Sequence, residues 1–218
     1  VYSMCQYAVV DLEMCRIPKR LQTNEYHWSQ ETIQIGAVLL NDSYEITDSF
    51  STYVCPQFGI IDPFIEKMAR ISDQKVKGAP LMKDALKLFS DWLPQDTRFV
   101  EWSDSDHTQI RHEITGKSIF FDGIEHFEEP WIDCQAMFTA KLSAERAYSL
   151  TEALNLSNIS YKDGAHDGWV DAYNTALLFA KLRQTPDYEI NEYYLSRPEH
   201  LSFSIGDMIA GLRLSPAS

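Results

Sequence analysis

The sequence predicts an α/β fold, a mixed sheet with helices packed on it, and three observations carry that expectation. Three short runs rich in apolar and β-branched residues open the chain at residues 7–10, 32–40 and 46–54, each of strand length and bounded by polar or turn-forming residues. Segments with apolar residues at helical spacing follow, interrupted by two further short apolar runs at 98–102 and 131–133. Strands and helices in this succession bury their apolar surfaces most simply when the helices cover the faces of one sheet.

Taken in order, Tyr7, Ala8, Val9 and Val10 form a buried central strand that delivers Asp11 and Glu13 at its C-terminal end. Strand side chains repeat every two residues, so Asp11 and Glu13 share one face while Leu12 points away. Residues 15–30 hold Arg16, Pro18, Lys19 and Arg20 among polar residues, and are expected as a loop beside the carboxylates. The strand at 32–40, the turn at Asn41 and Asp42, and the strand at 46–54 continue an antiparallel meander. Pro63 suits the start of a helix over 64–70, and Pro80 and Pro94 bracket a segment in which Leu81, Ala85, Leu88, Phe89 and Trp92 recur at helical spacing. After the strand at 98–102, Ser103, Asp104, Ser105 and Asp106 offer capping groups ahead of Ile110 and Ile114. Helices are expected over 134–142, 149–156 and 167–183, the last carrying Val170, Ala172, Ala176, Leu177, Phe179 and Ala180. Periodicity fades after Thr185.

At 218 residues and 44% hydrophobic, with 11 Phe, 11 Tyr and 5 Trp, the chain can bury one full core. It shows no run of about 18 apolar residues and no charged leader before an apolar stretch, so neither a membrane span nor secretion is expected, and a cytoplasmic location is. Cys5, Cys15, Cys55 and Cys134 are scattered without zinc spacing and are expected as reduced thiols. The net charge of −13 excludes a general nucleic-acid coat, whose binding would rest on positive charge, but suits an acidic site neutralised by metal ions.

Two carboxylates side by side repel each other, and a hard divalent cation removes that repulsion. Asp11 and Glu13 fit such a metal site or, equally, a solvated strand edge. His166 and Asp171, five residues apart at the start of the long helix, can face one site beyond its N-terminus. They also fit an ordinary helix start, where Asp167 and Asp171 complement the macrodipole and His166 caps.

Together these pieces resemble one family. Asp11-Leu12-Glu13, an aspartate at a helix start near 106, and His166-Asp167-Gly168-Trp169-Val170-Asp171-Ala172 resemble the three motifs of the DEDDh exonucleases, such as ribonuclease T, oligoribonuclease and the proofreading subunit of bacterial replicative polymerases. The stretches 31–38, 68–73 with Val76 and Ala79-Pro80, and Ile132-Asp133-Cys134 resemble the segments between those motifs. The resemblance spans residues 7–183 and is greatest to the branch of the histone-mRNA 3′-end exonuclease (ERI-1-like) and its bacterial relatives, which keeps a Trp ahead of the second motif, as Trp102 stands here. Asp104 and Asp106 both stand at this helix start; the family pattern, an aspartate followed four residues on by an apolar residue, implies Asp106, with Ile110 beneath it, and Asp104 would then be the helix cap. Gly168 replaces the usual Ala, a loss of helix propensity.

The resemblance implies a ribonuclease H-like mixed five-stranded sheet flanked by helices, with the exonuclease domain in residues 1–185. Residues 186–218 are expected to form an extension packed on that domain or at an oligomer interface, the oligomeric state being open and a homodimer one arrangement. It implies two Mg²⁺ or Mn²⁺ ions held by Asp11, Glu13, Asp106 and Asp171, and His166 as the base that takes the proton from the attacking water. Leu12, Met14 and Trp102 would contact the substrate, a single-stranded RNA or DNA 3′ end with RNA favoured, cut to nucleoside 5′-monophosphates. Two alternatives stand beside this. A non-catalytic binding module of the same fold would have lost a ligand or the histidine, whereas all five positions are filled here. A hydrolase of very short oligonucleotides would suit the acidic composition. Arg16, Lys19, Arg20, Lys141 and Lys162 either line the path of a strand or are solvated charges.

Overall fold

The computed structural model describes residues 6–164 and 166–195; the remainder of the expected C-terminal extension, residues 196–218, lies outside the described residues. Five strands form one mixed sheet in the order β3-β2-β1-β4-β5. Strand β1 (Gln6–Arg16) lies at its centre, antiparallel to β2 (Gln30–Leu40) and parallel to β4 (Thr97–Glu101). At the edges, β3 (Ile46–Tyr53) runs antiparallel to β2, and the two-residue β5 (Ile132–Asp133) parallel to β4.

The alternation of β1 sends its side chains into two separate cores. Ala8, Val10 and Leu12 are buried with residues of α3 (Met82–Trp92) and α4 (Ser105–Gly116). Tyr7 and Val9 are buried on the other face, with α5 (Cys134–Lys141), α6 (Leu150–Leu156) and the long α7 (Gly168–Gln184). A smaller cluster joins Cys15 and Ile33 to α1 (Pro63–Ala69) and α2 (Asp73–Val76). A central strand buried on both faces is what a near-continuous apolar run requires.

One expectation is corrected here. Strand β1 does not end at the carboxylates but continues through them to Arg16, so the loop expected from residue 15 begins at Ile17. The cause is pairing: Met14, Cys15 and Arg16 lie opposite Thr32, Glu31 and Gln30, after a bulge between Glu13 and Met14. A strand this polar persists because its neighbour continues the ladder.

Each end of α4 is fixed by a buried charge. At its C-terminal end the Lys117 ammonium bridges Glu31 (2.6 Å) and Glu113 (2.5 Å), all three side chains almost wholly out of solvent. Glu31 also accepts the backbone N–H groups of Gln57, Phe58 and Gly59, and Glu113 that of Thr32. The described part of the C-terminal segment, including the short α8 (Glu192–Leu195), lies against the second core: the Asn191 N–H donates to the Leu156 carbonyl (2.7 Å), and Tyr188 and Tyr194 pack there.

Candidate active site

The site begins with a close approach of backbone to backbone. Asp11 lies opposite Gly36 across β1 and β2, and Glu13 opposite Gln34. The first turn of α7 rests directly on Gly36, where a Cβ would stand 2.1 Å from the Gly168 carbonyl carbon and 2.2 Å from the Trp169 nitrogen. Only glycine admits that contact. A Cβ on Gly168 would in turn meet the Asp11 carbonyl oxygen at 3.0 Å, so this glycine serves close packing as well as forgoing helix propensity. The Gly168 N–H donates to Gln34 Oε1 (3.1 Å), and α7 is seated with its N-terminus over the carboxylate pair.

Asp167, rather than His166, caps α7, accepting from the Trp169 and Val170 N–H groups. His166 takes a left-handed backbone (φ 66°) and donates its N–H to Asp171 Oδ2 (2.8 Å). Donor atoms of Glu13, His166 and Asp171 all lie within 4.8 Å of one another.

The fourth carboxylate comes from α4. Asp106 is 4% exposed, and its Oδ1 accepts the Leu12 N–H at 3.2 Å, which ties the helix start to the central strand. Asp104 stands exposed at the N-cap position and makes no capping hydrogen bond. Glu101, at the end of β4 and 2% exposed, does that work instead by accepting the His107 N–H at 2.9 Å. Sequence reasoning missed Glu101; the available signal was an acid closing an apolar strand just before a helix.

Burial and mutual repulsion raise the proton affinity of the whole cluster. Asp11 is held well above the usual carboxylate range by burial, then by Asp106, Asp171 and Glu13. Asp106 is raised likewise, by burial and then Glu101, against the opposing Leu12 N–H. Glu13 is pushed up to about 8 by burial and by Asp171 and Asp167. Burial raises Asp171 too, while the His166 N–H works the other way. Oxygen donors that are buried, clustered and reluctant to ionise fit hard divalent cations, which replace the missing counter-charge.

Residues 8–179 match the Exonuclease (RNase_T) family. The chain belongs to this family. Its relatives include ERI1 exoribonuclease 2 of Homo sapiens, 31% identical over 185 residues that make up 72% of this chain and 26% of the relative. The Danio rerio protein of that name is 31% identical over 178 residues, 70% of this chain and 31% of the relative. The exonuclease chain thus spans about a quarter to a third of the length of these relatives. Among solved structures, the nuclease domain of 3′hExo, a DEDDh family member bound to rAMP, superposes with a TM-score of 0.71 at 21% identity, covering 88% of this chain and 98% of that one. Exonuclease X in complex with 5′ overhanging duplex DNA gives 0.55 at 20% identity, with coverage of 84% and 93%. These relationships agree with the resemblance to the DEDDh exonucleases and their ERI-1-like branch, and the likeness to the solved structures shows the ribonuclease H-like mixed sheet.

The remaining expected residues divide. Leu12 and Met14 line a cavity of about 190 Å³ that opens beside Glu13 and is walled by Phe64, Ile65 and Met68. Trp102 does not line it; the indole is half-buried in the second core, 6.3 Å from the Phe138 ring. Of the basic residues, Lys162 lies over the Trp169 and Tyr173 rings (4.5 Å each), and Lys141 donates to the Pro186 carbonyl (2.8 Å). Lys19 and Arg20 are exposed on a 3-10 turn (Lys19–Leu21), while Arg16 borders the cavity.

Proposed function

We propose that the exonuclease domain removes nucleotides one at a time from a free 3′ end of single-stranded RNA, releasing nucleoside 5′-monophosphates, with two Mg²⁺ or Mn²⁺ ions held by Asp11, Glu13, Asp106 and Asp171. The observation that carries this is the convergence of these four carboxylates from β1, α4 and α7, with His166 at their edge. When bound, the ions supply a hydroxide nucleophile at neutral pH and stabilise charge on the phosphoryl and leaving oxygens.

The protein side chains position and relay. His166 stands beside Asp171 on a backbone fixed by their hydrogen bond, where an exposed imidazole can take the proton of the attacking water and pass it to solvent. The cavity formed by Leu12 and Met14 receives the terminal nucleoside, so that the phosphate behind it meets the carboxylates. Single strands are favoured because a duplex end must be melted before its terminal base can enter. RNA is favoured because the human and zebrafish relatives are exoribonucleases and a structural neighbour is bound to rAMP. With a net charge of −13, little positive charge holds a distant strand, and short oligomers should be cut at least as well as long ones. A cytoplasmic location suits the free thiols of Cys15, Cys55 and Cys134.

The test is a time course on 5′-labelled single-stranded RNA and DNA with Mn²⁺ and with EDTA. A ladder shortening from the 3′ end only with metal, faster on RNA and stopped by a 3′-phosphate, is expected. Cleavage of a circular strand, or release of 3′-monophosphates, would exclude the mechanism.

A further inference from the structure

The cavity beside Glu13 has apolar walls and a polar end. Leu12, Met14, Phe64, Ile65 and Met68 supply the walls, and Arg16 and Gln30 close one side. These two residues are direct partners across β1 and β2, so their side chains leave the same face of the sheet. The same pair also lines a second cavity of about 390 Å³ with Pro18 and Ser29, so it forms a partition between the two spaces. Arg16 and Gln30 are exposed. Among the described residues no ion pair engages Arg16 and no side-chain hydrogen bond engages Gln30. The guanidinium is nonetheless held in place, 5.3 Å from the centroid of the Phe64 ring in the cavity wall.

We propose that Arg16, with Gln30 beside it, reads the edge of the 3′-terminal base and favours guanine. This rests on the reading that the cavity beside Glu13 receives the terminal nucleoside. A base lying between the apolar walls turns an edge toward the partition, where a guanidinium offers two parallel N–H donors. Guanine presents two acceptors, O6 and N7, at matching spacing; adenine and cytosine place an amino donor in that arrangement, and uracil has one exocyclic acceptor there. Gln30 both donates and accepts, and so tolerates any base without selecting one. A guanidinium stacked on an aromatic ring keeps its plane, which a flexible ammonium would not.

The experiment compares four 5′-labelled single-stranded RNAs that differ only in their last nucleotide, on the wild-type chain, Arg16→Met and Arg16→Lys, with Mn²⁺. In parallel, binding of guanosine and cytidine 5′-monophosphates is titrated to the same three proteins. The wild type is expected to show kcat/KM about five-fold or more higher for terminal guanosine than for cytidine, with the same order in binding. Arg16→Met, which keeps the aliphatic contact with Phe64, should bring both ratios close to one, and Arg16→Lys should not restore them. Equal rates on all four ends in the wild type, an unchanged ratio in Arg16→Met, or full recovery in Arg16→Lys would each overturn the proposal. Absence of any RNA cleavage alongside preferential binding of the guanosine nucleotide would instead count against the proposed function and leave the base reading standing.

Discussion

His166 holds a conformation that non-glycine residues seldom adopt, and the left-handed backbone (φ 66°) is what aims its N–H at Asp171. Strain of this kind, on the order of 1 kcal/mol, persists where the surroundings fix it, and here they fix the imidazole next to the carboxylates. As the base, its replacement by Ala should lower kcat by about 10²- to 10⁴-fold while leaving Mn²⁺ affinity nearly intact. Its donor atoms also lie within ligand range of Glu13 and Asp171, so a fall in affinity parallel to the fall in rate would reassign it as a ligand. His166→Asn, which tolerates the left-handed region, separates the imidazole from the backbone: its rate should match that of His166→Ala.

At the scale of elements, the site depends on how α7 and α4 are docked. Helix α7 carries Asp171 and rests on Gly36 with no room for a methyl group, since the obstructing atoms are backbone. Gly36→Ala should therefore lift the helix start, destabilise the fold by about 1–3 kcal/mol or more, and weaken Mn²⁺ binding because Asp171 moves away from Glu13. Gly168→Ala, whose new Cβ meets the Asp11 carbonyl oxygen at 3.0 Å, should do the same to a smaller degree. Urea unfolding with and without Mn²⁺ measures both, and a Gly36→Ala protein with wild-type midpoints would show that the contact does not seat the helix. Helix α4 is held by Ile110 and Ile114 in the first core, by Glu101 at its start and by the Lys117 bridges at its end, and Asp106 is fixed further by accepting the Leu12 N–H.

For the molecule as a whole, the buried acids couple stability to pH and metal. In the folded state Glu101 is raised to about 7 and Glu13 to about 8, with Asp11, Asp106 and Asp171 also raised, all chiefly by burial. The unfolded chain loses these protons near pH 4, so the folded state binds more protons above that point and its stability falls as pH rises through about 5 to 8. The thermal midpoint in EDTA should decline across that window, and Mn²⁺ should raise it more at pH 8 than at pH 5. A flat profile in EDTA would show that the acids are not raised as described.

The succession of strands and helices was legible in the sequence, because periodicity and capping are carried by neighbouring residues, and motif spacing singled out the five acidic and imidazole positions that the proposed function uses. Asp11 and Glu13 shared a face for the same local reason. Tertiary pairing decided the rest: β1 runs on to Arg16 because β2 continues beside it, and Asp106 instead of Asp104 turns inward, where its carboxylate accepts the Leu12 N–H. The Gly36 and Gly168 contact joins residues far apart in the chain, and the partition of Arg16 and Gln30 depends on the pairing of β1 with β2, whereas the cap from Glu101 to His107 spans only six residues. Trp102 matched a motif, and its indole lies half-buried against the second core, outside the lining of the cavity beside Glu13; residue type alone does not say which side of a strand end the sheet turns toward solvent.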